Sequence, residues 1–296
     1  MITSLANMVV LVAYGNATVK DQFSIQSIDQ HSTFKFHEWT IFRHVASDVI
    51  FARTPSEYLR SLKGRGVRGL LLTSGANSSL PDGLSERLSA GFVGGGKHYL
   101  IQEFTDSAVN LLALQSELGD RDREDQKMWR NTFQQYHTSP RQIFKPERPD
   151  LDWTEHKLTQ SLNEVIKFCN AGESQLKASH WPELFAKAKT ALSGNAPVDA
   201  TDHLQLPEQV FNETQNKLLK AADLAWVFGG MGSWNDVAFQ DDQLSAKYNL
   251  ISERLYGAVN MAIIGAVNSG STVFNLPPCT APLRNPNAGK PWWKVW

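Results

Sequence analysis

Apolar residues recur at helical spacing over two long stretches in the second half of the chain. Phe211, Leu218, Ala222 and Ala225 follow one another at seven, four and three positions. Leu244, Tyr248, Ile251, Leu255, Val259, Ala262 and Ala266 follow at threes and fours. Each set lies on one stripe of an α-helix, because side chains three and four apart share a face. Pro207 suits the first turn of the upstream helix, where a missing N–H costs nothing. Gly229 and Gly230 suit a left-handed cap at its end. Asp241 or Asp242 can cap the downstream helix, and Asn268-Ser269-Gly270 can end it. The pattern predicts two antiparallel helices joined by a bend. Residues 257–267 are apolar nearly all round except Asn260, which predicts a buried helix with that amide hydrogen-bonded inside.

The first half carries shorter patterns. The apolar run over 8–13 predicts a strand, as do the alternation over 33–39 and the run over 48–52. Thr54-Pro55-Ser56-Glu57 reads as a helix start, with a capping hydroxyl, a proline at the first position and an acid three residues on. Tyr58, Leu59 and Leu62 give that helix its apolar side, and Gly64 and Gly66 end it. Residues 67–73 predict a buried strand, 84–88 a helical turn and 99–101 a strand. From about 106 the pattern predicts helices, at 107–118 and 123–136, with a charge-dense solvated corner over 117–125 between them. The prolines over 139–149 mark a linker. Asp152 and Glu155 open a helix with Leu158, Leu162, Val165 and Cys169 on one face, and Trp181-Pro182 opens another that ends near Ser193-Gly194. The expected class is α+β. Its β-rich half with short helices covers 1–140, and its helical half, built on the helix pair, covers 150–296. The two are also compatible with one continuous domain.

Composition narrows this little. With 296 residues, 42% hydrophobic and 20% charged, the chain can bury a sizeable core and is not a disordered one. A net charge of -1 gives no bulk attraction to nucleic acid or anionic lipid. Cys169 and Cys279 imply no disulfide framework, and Cys169 fits a reduced core thiol. No run of about 18 apolar residues predicts a membrane span. The opening residues lack the basic start of a signal peptide, so a cytoplasmic protein is expected.

Candidate chemistry centres on the bend over 229–236. As a structural corner, its glycines turn the backbone, Trp226 and Trp234 fill the space beneath, and Asn235 or Asp236 binds loose N–H groups. As a site, Trp234 is a platform for a ligand, with Asn235 and Asp236 as polar contacts. The corner is the favoured reading. Gly91, Gly94, Gly96 and Lys97 nearly spell a phosphate loop, but His98 stands where a magnesium-holding hydroxyl belongs and a strand pattern follows. The eight histidines show no metal-ligand spacing. Ser233 misses the spacing of a nucleophile elbow. Arg60, Lys63, Arg65 and Arg68 form a basic cluster that fits a solvated turn better than a phosphate site. Trp292, Trp293 and Trp296 form an aromatic tail suited to docking on the same chain or on a partner. No cofactor or metal is called for. The expectation is a non-catalytic protein that binds another protein, such as an inhibitor or immunity-type protein. The alternative is an enzyme of unknown class with its site at the bend.

Overall fold

The fold is given by a computed structural model that describes residues 3–22, 28–74, 85–90, 98–105, 108–138, 148–171, 175–194, 204, 206, 210–229 and 232–275. The pattern over 8–13 turns out to be the middle of helix α1 (Thr3–Val19), not a strand. Leu5, Val9, Val10, Leu11 and Val12 are all fully buried, so α1 is wrapped on every side. A helix with no solvent face has no polar stripe, and a short apolar run then reads equally well as a strand.

The sheet follows. Strands β1 (His37–His44) and β2 (Ile50–Ala52) lead into helix α2 (Pro55–Gly64) and strand β3 (Val67–Ser74). A four-residue helix α3 (Glu86–Ser89), β4 (His98–Phe104), β5 (Val109–Leu118) and β6 (Trp129–Thr138) complete the half. The six strands lie in the order β2-β1-β6-β5-β4-β3. The β1–β6 pair is parallel and the other neighbours are antiparallel. The Thr54 start of α2 is as read, with its hydroxyl accepting the Glu57 N–H at 3.1 Å. Because β2 and β3 form opposite edges, α2 crosses beneath the whole sheet rather than joining neighbours.

The helices expected over 107–118 and 123–136 are instead the β5–β6 hairpin, paired from Val109↔Thr138 to Leu118↔Trp129. Leu, Ala, Gln and Glu favour helix by propensity, but a place between β4 and β1 supplies cross-strand partners that outweigh it. The charge-dense corner is the hairpin loop.

Alternation sets the two faces. Leu70, Leu72, Leu100, Leu112, Phe133 and Phe42 are buried toward the helices. Phe42 stacks between Tyr58 of α2, centroids 4.1 Å apart, and Phe133, 4.8 Å apart. On the other face, Leu71, Ile101 and Val109 pack with Val273, from the turn Thr272–Asn275. The outer edge of β3 is closed by two asparagines. Asn16 of α1 accepts the Leu70 N–H at 2.9 Å and donates to the Leu70 carbonyl at 3.0 Å. Asn268 does the same at Leu72, at 2.7 and 2.8 Å. Gly15 lets α1 approach, since a Cβ there would stand 2.1 Å from Leu70 Cδ1.

The second half holds α4 (Leu151–Asn170), α5 (Trp181–Leu192), α6 (Glu213–Leu224) and α7 (Asp242–Ser269). They form a bundle in which α4 packs on α5 and α7, and α6 on α5 and α7. The expected helix pair is α6 and α7, running antiparallel: Gln215 donates to the Ala266 carbonyl at 2.9 Å, and Trp226 meets Tyr256 at 6.1 Å. Asp241 caps α7 by accepting the Leu244 N–H at 2.7 Å, and Gly270 follows its last residue. The upstream helix starts later than read, at an Asn212–Gln215 capping box; Pro207 lies outside the described residues. Its cap is Ala225 rather than a glycine, and Gly232 takes the left-handed backbone at φ 79°. One apolar core runs from α1 and the sheet's inner face into the bundle. By length and hydropathy α7 reaches the range of a membrane-crossing helix, and 67% of its most apolar window is buried within the fold.

Candidate functional site

The bend sits at the end of the bundle. Trp234 has no exposed surface. Its ring meets Trp181 and Phe185 edge-on, at 5.3 and 5.2 Å, and Tyr248 at 5.2 Å. Its indole N–H donates to Ser252 Oγ at 2.7 Å, and its carbonyl accepts the Tyr248 hydroxyl. No ring face or polar atom is left for a ligand. Trp226 is half-buried and donates to the Phe228 carbonyl at 3.0 Å. Asp236 accepts the N–H groups of Gly232 and Ser233, and Ser233 Oγ donates to the Gly229 carbonyl at 3.0 Å. These are capping bonds of the kind that hold a tight turn.

Asn235 has a different partner. Its amide donates to the Arg87 carbonyl at 3.2 Å and accepts from Arg87 Nη1 at 2.8 Å. Arg87 belongs to α3 and is almost fully buried. Its Nε donates to Glu253 at 2.9 Å and its Nη2 to Asn249 at 3.1 Å, both on α7. A buried guanidinium is tolerated only when its charge and donors are answered. Here one carboxylate and two amide oxygens answer them, which ties α3 to the bundle. Nothing in the sequence marks Arg87, an arginine in a four-residue helix.

Other expected groups are dispersed. His37 and His44 start and end the same strand. His37 is buried against Thr40 Oγ1, at 2.9 Å, and Asn131, and burial pushes its imidazole down to about 4. His98 pairs with Asn260 at 2.8 Å, and Asn260 also donates to the Tyr256 carbonyl at 2.9 Å, so the buried amide is satisfied as expected. Cys169 is a free, buried thiol held up at about 12 by that burial. Gly94, Gly96, Lys97, Cys279, Trp292, Trp293 and Trp296 lie outside the described residues, as does most of the expected linker.

A second group, at the far end of the sheet, is not marked by residue spacing. Trp39 of β1 is 37% exposed although it lies within a strand. The Arg130 guanidinium of β6, its cross-strand partner, stacks over its ring at 4.7 Å. Glu38 holds Arg130 Nε at 2.7 Å and meets Arg123 of the hairpin loop at 3.3 Å. Arg123 in turn grips Asp125 with two bonds of 2.9 Å. Phe36, with Lys35 Nζ 4.6 Å over its ring, and Leu118 add exposed apolar surface at the same end of the sheet. The signal lies in the pairing of β1 with β6, which residue spacing does not carry.

Among the described residues no group of three or more His, Cys, Asp or Glu side chains could hold a metal ion. No family model matches this chain, and neither the curated proteins nor the solved structures yield a match to it.

Proposed function

We propose that the protein is a non-catalytic binding protein whose partner is another protein, in the manner of an inhibitor or an immunity protein. The observation that supports this reading is the ordered Trp39–Arg130–Glu38 arrangement at the exposed end of the sheet. Tryptophan and arginine dominate the energetic centres of protein interfaces, because a rigid ring buries much area with few rotamers to lose and a planar guanidinium offers a fixed fork of donors. Here the fold has already restricted both, so less ordering remains to oppose association. Phe36 and Leu118 widen the apolar surface beside them. The bend favours the same reading, since Asn235 and Asp236 bind the protein's own chain.

The test uses full-length wild type and a Trp39→Ala, Arg130→Ala double variant, each immobilised and exposed to extract of the source cells. Wild type is expected to retain a protein that the double variant holds at least about tenfold more weakly, as for loss of an interface anchor. The purified partner's own activity should fall as wild type is added. Equal retention by both forms, or retention by neither, overturns the reading.

A further inference from the structure

The fold takes apart the basic cluster at the end of α2. Lys63 pairs with Asp21, Arg68 pairs with buried Glu103, and Arg60 faces water. Arg65 is placed differently. It caps α2, with its backbone N–H on the Ser61 carbonyl at 3.0 Å, and its side chain turns back under the sheet. The guanidinium lies 4.2 Å from the centre of the Phe51 ring of β2, and Nη2 donates to Gln135 Oε1 of β6 at 2.7 Å. Nη1 is buried and has no partner. No carboxylate among the described residues pairs with Arg65. His44, at the end of β1, packs on the same Phe51 ring with centroids 4.5 Å apart. Deeper in, Gln102 donates to the Tyr58 hydroxyl at 2.9 Å, and its own oxygen is buried and unpartnered.

A guanidinium stays charged at any working pH, so it cannot escape burial by losing a proton. An aromatic face and one amide oxygen answer part of its charge. The carbonyl end of α2 adds about half a negative charge at most. Among the described residues the N–H groups of Nη1 have no partner and no carboxylate balances the half-buried guanidinium, unlike at Arg87, where a carboxylate completes the set.

We propose that Arg65 is an anion-binding site, in which Nη1 receives a small oxyanion, either a carboxylate or a phosphate, beside Phe51, Gln135 and His44. The proposal does not depend on the protein-binding reading, because free anions test it without a partner. Acetate and phosphate are titrated against chloride at constant ionic strength, with the thermal midpoint of the full chain as readout. Wild type and Arg60→Gln, the exposed member of the cluster, should show a saturable rise in Tm with at least one of the two anions. Arg65→Gln should show none. Tighter binding of acetate assigns a carboxylate ligand, and tighter binding of phosphate assigns a phosphate. If Arg65→Gln does not fold, Arg65→Lys replaces it and should bind about tenfold more weakly, since an ammonium lacks the guanidinium fork. No saturable response in wild type, or an unchanged one in the Arg65 variant, overturns the proposal; a site filled by water gives the first of these results.

Discussion

The two ends of the molecule use the same side chains to opposite effect. At the bundle end, Trp234, Arg87, Asn235 and Glu253 are locked together. The indole has no exposed surface, and the arginine has an acceptor at each of its nitrogens. At the sheet end, Trp39, Arg130 and Glu38 are ordered just as definitely, but the ring is 37% exposed. What separates a staple from a contact surface is therefore whether the ring and the guanidinium are sealed from water. A sealed cluster adds to stability; an ordered but open one leaves its surface for something else to cover.

That contrast can be broken by substitution. Trp234→Ala should cost about 3–5 kcal/mol in urea unfolding, because it empties the space between Trp181, Phe185 and Tyr248. A smaller loss than that of Trp39→Ala would reverse the comparison. Next, Arg87→Met should cost about 1–2 kcal/mol, since it removes the hydrogen bonds that tie α3 to Glu253, Asn235 and Asn249. Arg130→Met, whose ion pair is partly open to solvent, should cost under about 1 kcal/mol.

A third test uses pH. His37 lies at the start of β1, and burial holds its imidazole at about 4 against an ordinary 6.5. The unfolded chain therefore binds its proton first as pH falls. Stability should drop between pH 6.5 and 4 by up to ~1.4 kcal/mol per pH unit from this group. His37→Gln should flatten that slope in denaturant titrations at pH 7 and pH 5, and an unchanged slope would assign the acid sensitivity elsewhere. Hydrogen exchange at pH 5 should show the sheet end loosening before the bundle. A fourth test concerns Asn7 of α1, fully buried with both amide atoms unpartnered. Asn7→Leu should raise stability by about 1–2 kcal/mol in the same assay, because an unanswered buried amide is destabilising. The smallest effect is expected for Trp39→Ala, within about 0.5 kcal/mol of wild type, as for an exposed side chain outside the core.

Where a residue's role was set by its near neighbours in the chain, it was legible. Thr54-Pro55-Glu57 opens α2, Trp181-Pro182 opens α5, and the long stripe from Leu244 marks α7. Roles fixed by distant partners were not. Helix α1 lost its periodic signature because it is covered on all sides, and β5, rich in helix-favouring Leu, Ala, Gln and Glu, is a strand because of its pairing. For the bend, the glycines and tryptophans pointed to an unusual turn, but the arginine that anchors it stands 148 positions away. Trp39 read as a half-buried strand residue, and only its register with Arg130 brings the cation over its ring.

The asparagine closure of β3 has a consequence for how the chain is made. Leu72 and Asn268 are 196 positions apart. At ~5–20 residues per second, translation delivers the second roughly 10–40 s after the first. Throughout that interval an apolar strand has emerged while half of its hydrogen-bonding edge still awaits the last helix. A nascent chain in this condition invites pairing with its neighbours on the same message. Ribosome spacing and chaperone supply during synthesis, more than the strength of the finished fold, would then govern how much of this protein a cell recovers in native form.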